Sequence, residues 1–130
     1  DTTELLAEVR MPVMQPGTGW SFQEMTRRKG DFALAGAAVT LALNDGNCKD
    51  VRIAVFAVSA TAVRMSAAEQ IVDGMPPDGE LFARAGSIAA EAVEDPISDV
   101  HGSADYRRHL VKTLVARALT EASARASTGV

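Results

Sequence analysis

Arg27, Arg28, Lys29 and Asp31 stand within five positions, at the end of a polar segment and just before an apolar run that extends to Leu43. Three cations and a carboxylate at that spacing suit a loop beside an anionic or electron-accepting ligand. They also suit a solvated strand end whose local ion pairs add little stability, and on pattern alone this second reading is the commoner. The charges themselves do not choose.

Other groupings carry less. Gly17-Thr18-Gly19-Trp20-Ser21-Phe22 has the outline of a dinucleotide-binding loop. Phe22, however, stands where the third glycine is required, and the pattern continues as strand where a helix N-terminus would have to hold the phosphate. His101 and His109 are too few and too far apart to form a metal site with Cys48, and His109 falls inside a helical pattern. Ser98 and Asp99 lack an elbow motif around them, so no nucleophile arrangement is recognisable. Cys48, beside a turn lysine, reads as an incidental strand residue.

The elements that must position these residues are strands first and helices second. Residues 4–12 alternate, with Leu5, Ala7, Val9 and Met11 on one face, and predict a half-buried strand stopped by Pro12. A strand over 20–28 follows a Pro-Gly turn, and its spacing slips near Gln23 and Glu24, where a bulge or strand end is expected. The apolar run is the next strand, with Val39, Leu41 and Leu43 on one face and Ala38, Thr40 and Ala42 on the other. Residues 44–49 form a turn into its antiparallel partner, over 50–60.

Beyond Ala60 the period changes. Ser66 and Glu69 have capping-box spacing for a helix over 67–73, stopped by Gly74. Leu81, Ala85, Ile88, Ala89 and Ala92 mark a helix over 80–93. Ser103 is the expected N-cap of a helix over 104–125, with Asp105 at its positive end. Tyr106, Leu110, Leu114, Ala118 and Ala122 form its apolar stripe, widened by Val111, Val115 and Leu119; residues 126–130 are expected to fray. The predicted class is α+β: an antiparallel sheet of about four strands, then about three helices packed on one face.

A chain of 130 residues, 47% apolar and 23% charged, suits one globular domain. Its formal charge of −4 argues against nucleic acid, and no apolar run reaches a membrane span of about 18 residues. One cysteine excludes an internal disulfide and, with no leader pattern, favours a cytoplasmic location. The chain starts at Asp1 without an initiator methionine, as a processed or excised segment would.

RRKGDFALAGAAVTL (27–41), followed by DPISDVHGSADYRRHLVKTLVARAL (95–119), resembles the C-terminal domain of the flavoprotein subunit of molybdenum hydroxylases. That family includes the medium subunit of aerobic carbon monoxide dehydrogenase and the flavin module of xanthine dehydrogenase. The paired motifs RRxGDFA and DPxSDxxGSAxYRRxL carry the resemblance, which runs from ELLAEVRMP to the last helix. It implies an α+β sandwich, with residues 1–130 as one domain cut from a longer subunit. The family's FAD-binding region, with a Gly-rich loop for the pyrophosphate, precedes this domain.

By resemblance, Leu6 matches a leucine that touches the flavin. Gln23 matches a position that is lysine in the xanthine oxidoreductases, close to the ring; glutamine departs from this and supplies no charge to tune the flavin. Residues 24–34, which include Arg27, Arg28 and Asp31, resemble a loop beside the flavin that alters access of the electron acceptor. The DPISD and GSADYRRHL residues cap and dock the last helix. No catalytic residue and no metal ligand is assigned.

The implied role is to help enclose an FAD that passes electrons from iron–sulfur clusters to an acceptor. The implied partners are the preceding FAD-binding domain, a molybdenum-cofactor large subunit and an iron–sulfur small subunit. With a single cysteine and no molybdenum-site motif, the chain could serve only the flavin step. Alone it is expected to be inactive and to bind FAD weakly or not at all. The alternative is a non-catalytic assembly module that docks the flavin domain to its partners.

Overall fold

The apolar run turns back on itself in two residues. Asp45 and Gly46 both have positive φ, 50° and 81°, the type I′ geometry whose twist matches that of paired strands. The computed structural model describes residues 3–128, and this turn joins its two longest strands, β2 (Ala33–Asn44) and β3 (Asn47–Phe56). The partner strand therefore starts at Asn47, ahead of the expected position 50.

Opposite Leu41, β3 carries two residues, Asp50 and Val51, and the register shifts there. Asp50 takes the extra place at φ 54°, a bulge that reverses the parity of β3. Cys48, before it, and Val51, Ile53 and Val55, after it, all point into the core.

β1 (Gly19–Thr26) pairs antiparallel with β2 and β4 (Val63–Arg64) with β3, giving the order β1-β2-β3-β4. The expected slip at Gln23 and Glu24 does not occur. Alternation continues through both, and the register shifts between Met25 and Thr26. Trp20 and Phe22 lie on one face of β1, while the half-buried Met25 lies on the other with Ser21 and Gln23.

Residues 4–12 form no strand. Leu5, Leu6, Val9 and Met11 are 70–91% exposed. Their alternation could line one face of a strand, but a strand also needs a neighbour for its N–H and C=O groups, and none of the four sheet strands pairs with this segment. The fourth strand is instead β4, too short to leave a periodic signal.

Among the described residues three helices lie on one side of the sheet: α1 (Ser66–Val72), α2 (Gly79–Glu91) and α3 (Ala104–Thr128). α3 lies on β1 and β2, α1 lies against β3, and α2 packs on α1 and α3. Val39, Leu41, Ile53 and Val55 meet Val111, Val115, Leu119 and Ala122 in a core shielded from water. Asp78 caps α2, its carboxylate accepting from the Glu80 and Leu81 N–H groups at 2.9 Å each. Ser103 caps α3, its Oγ accepting from Tyr106 N–H at 3.2 Å. α3 stays helical through Thr128, past the expected end at 125; Gly129 and Val130 lie outside the described residues.

The capping box at α1 is absent. Met65 is the N-cap, Ser66 is already helical, and no side chain caps the first turn. Glu69 is turned toward the sheet, where its carboxylate accepts from Ile53 N–H at 2.9 Å and pairs with Arg64 at 2.8 Å. One turn on, Asp73 accepts from Val51 N–H at 3.3 Å, beside the bulge. Two carboxylates at i and i+4 thus serve backbone donors of β3 that the two-residue β4 cannot reach.

Candidate functional site

The charged loop closes the β1–β2 connection. Within it Asp31 N–H donates to Arg28 C=O at 3.1 Å, with Gly30 at φ 81°. That is the third-position conformation a type II turn requires, and an L side chain adopts it at a cost. Arg27 Nη2 meets Asp31 Oδ2 at 3.2 Å, and Asp31 Oδ1 accepts from Phe32 N–H at 2.9 Å. Arg28 and Lys29 are exposed, and Phe32 is 95% exposed. The Arg27–Asp31 pair is itself open to water, so Arg27→Ala should change stability by less than about 1 kcal/mol. A larger loss in a denaturant titration would show that the loop is a structural element.

Gln23 faces α3. Its amide donates to Glu121 Oε2 at 2.6 Å, and Ser21 Oγ donates to the same oxygen at 2.7 Å. Arg125 pairs with the other carboxylate oxygen, donates to Trp20 C=O at 2.7 Å, and sets its guanidinium 4.1 Å from the Trp20 ring centroid. The Ser21 hydroxyl, then the Gln23 amide and Arg125, hold the Glu121 carboxyl below its ordinary value.

Among the described residues no helix lies on the opposite face of the sheet. Phe22 and Phe56 stack there, with centroids 5.0 Å apart, and Phe56 lies over Gly36 where any Cβ would collide with its ring. Met14, Trp20, Phe22, Ala38, Thr40 and Ala54 line an open apolar groove of about 480 Å³.

The five residues singled out from sequence do not form one cluster. Arg27, Arg28 and Asp31 share the loop at the C-terminal end of β1; Gln23 sits midway along that strand; Leu6 lies in the segment that enters β1 from its other end. Sequence reasoning gave Arg107 no more than a docking role. Its guanidinium is buried, donates to Leu34 C=O at 2.6 Å and to Ala57 C=O at 3.1 Å, and pairs with Asp99 at 2.8 Å. The signal was present: Arg107, Leu110, Val111 and Leu114 fall at helical spacing on the buried face of α3, whereas Tyr106, expected there, is exposed.

Residues 20–122 match the family described as the CO dehydrogenase flavoprotein C-terminal domain. The chain belongs to that family. It is 39% identical over 124 residues to the 6-hydroxypseudooxynicotine dehydrogenase complex subunit alpha of Paenarthrobacter nicotinovorans, covering 95% of this chain and 42% of that protein. It is 34% identical over 125 residues to the carbon monoxide dehydrogenase medium chain of Hydrogenophaga pseudoflava, covering 96% and 43%. A solved carbon monoxide dehydrogenase from Hydrogenophaga pseudoflava superposes with a TM-score of 0.82 at 38% identity, over 88% of this chain and 39% of that one. The chain thus spans about two fifths of the length of these curated relatives.

One way to hold a pyrophosphate is through the free N–H donors of a helix N-terminus. In α2 two such donors are taken by Asp78, and in α3 Tyr106 N–H is taken by Ser103. Among the described residues no group of three or more His, Cys, Asp or Glu side chains could hold a metal, and no helix is long and apolar enough to cross a membrane.

Proposed function

We propose that this chain is the C-terminal domain of the FAD-containing subunit of a molybdenum hydroxylase, and that it helps to enclose the flavin. The observation that carries this reading is the pairing of family membership with a solvent-facing loop, residues 27–32, whose exposed Arg28, Lys29 and Phe32 have the chemistry to border an anionic, planar ring. FAD, when bound, supplies the electron-transfer chemistry. Arg27, Arg28 and Asp31 shape the approach to it, while Gln23 braces β1 behind the loop through Glu121. Leu6, by resemblance, touches the ring once residues 4–12 are packed. The partners are the preceding FAD-binding region, a molybdenum-cofactor large subunit and an iron–sulfur small subunit, in the cytoplasm.

The exposed Leu5, Val9 and Met11 and the uncovered aromatic face favour a second role, as an assembly module that docks the flavin region to its partners.

Titrating FAD into the 130-residue chain should give no saturable change in flavin fluorescence at micromolar protein, whereas the full-length subunit should bind one equivalent. Tight stoichiometric binding by the short chain would overturn the reading that it only helps to enclose a flavin held by the preceding region.

A further inference from the structure

Arg107 does more than dock α3. Its three acceptors belong to three separate segments: Leu34 at the start of β2, directly after the charged loop; Ala57 just beyond β3; and Asp99 between α2 and α3. Each acceptor is set up for it. Ala57 takes φ 62°, a left-handed conformation uncommon for alanine, and presents its carbonyl to Nη1. Asp99 is fixed by its own turn, accepting from His101 N–H at 2.8 Å and Gly102 N–H at 3.1 Å, and offers its other oxygen to Nη2. The Arg107 Nε, buried, has no partner. The guanidinium is therefore oriented toward these three acceptors at the expense of its Nε–H donor.

We propose that Arg107 is the positioning residue of the charged loop. By holding Leu34 C=O it fixes where the chain leaves the loop, and by holding Ala57 and Asp99 it ties that exit to the neighbouring strand end and to the loop that carries Val100. Phe32, two residues before Leu34, and Val100, next to Asp99, are 95% and 93% exposed, so the clamp presents both to whatever borders this end of the sheet. Its consequence for a flavin rests on the reading proposed above; the clamp itself does not. Lysine at this position keeps the charge but has no planar fork to reach three acceptors.

The test uses the full-length subunit with FAD bound and compares Arg107→Lys with Leu119→Ala, a core truncation remote from the loop. Amide exchange should rise at least tenfold over residues 27–34 and 97–102 in Arg107→Lys, while residues 37–41 keep their protection. Asp99→Asn, which retains an acceptor oxygen, should give a smaller rise over the same segments. The visible absorbance of the bound flavin should shift in Arg107→Lys and not in Leu119→Ala. A rise spread evenly over the domain, as Leu119→Ala should produce, would overturn the clamp. A rise confined to the loops with an unshifted flavin spectrum would support the clamp and sink the flavin-side reading of the loop.

Discussion

Gly19→Val is expected to lower the melting temperature by on the order of 10 °C and to loosen α3 from the sheet. A Cβ at position 19 would stand 1.9 Å from Ala122 O and 2.6 Å from Ala126 N, both backbone atoms of α3. Carbon and oxygen at van der Waals contact need roughly 3.5 Å, so no side-chain rotation relieves the overlap and the helix must move by on the order of 1.5 Å. That movement would open the contact of Ala118, Leu119 and Ala122 with β1 and β2, and stretch the Ser21–Glu121 and Gln23–Glu121 hydrogen bonds. Overpacking in a rigid core costs about 1–3 kcal/mol where side chains can adjust, and more where backbone meets backbone. Thermal unfolding followed by circular dichroism measures it; a midpoint within about 2 °C of wild type would show that α3 is free to shift.

The sequence carried the class, the three long strands ahead of the helices, and every helix to within a few residues, because each rests on a periodic apolar face. The features that escaped it were set by partners distant in the chain. Residues 4–12 have the alternation of a strand, but alternation says nothing about whether a neighbouring strand is present. Glu69 sits three residues after Ser66, the spacing of a capping box, yet the carboxylate goes to Ile53 N–H and Arg64, because β4 ends before it can serve the rest of β3. Arg107 was legible only as a charge out of place on an apolar stripe, since its acceptors lie 73, 50 and 8 residues away. The charged loop is the hardest case. Its sequence shows the charges and the Gly30 turn, but its surroundings depend on what lies against this end of the sheet.

Glu69→Ala should destabilise the domain by about 1–3 kcal/mol, since it leaves the buried Ile53 N–H without an acceptor. Glu69→Gln should cost less, because an amide oxygen can still accept from Ile53 while the charge facing Arg64 is lost. The two variants separate the backbone role from the ion pair, and pH separates them again. Burial pushes the Glu69 carboxyl up, but the hydrogen bonds from Arg64 and Ile53 N–H and the Arg64 charge outweigh it, so the group titrates below its ordinary value. A carboxyl depressed in the folded state stabilises it fully above the unfolded value, about 4.3, and that contribution disappears as pH falls through the folded value. The gap in stability between wild type and Glu69→Gln should therefore be constant from neutral pH down to about 5, and should close under stronger acid, where both carry a neutral side chain. Asp99, held low first by His101 N–H, and Glu121, held low first by the Ser21 hydroxyl, share that sign. Only the difference between the two Glu69 forms isolates the β3 edge. A gap that persisted unchanged in acid would mean that Glu69 acts through packing, and that α1 is held to β3 by its apolar face and not by its carboxylates.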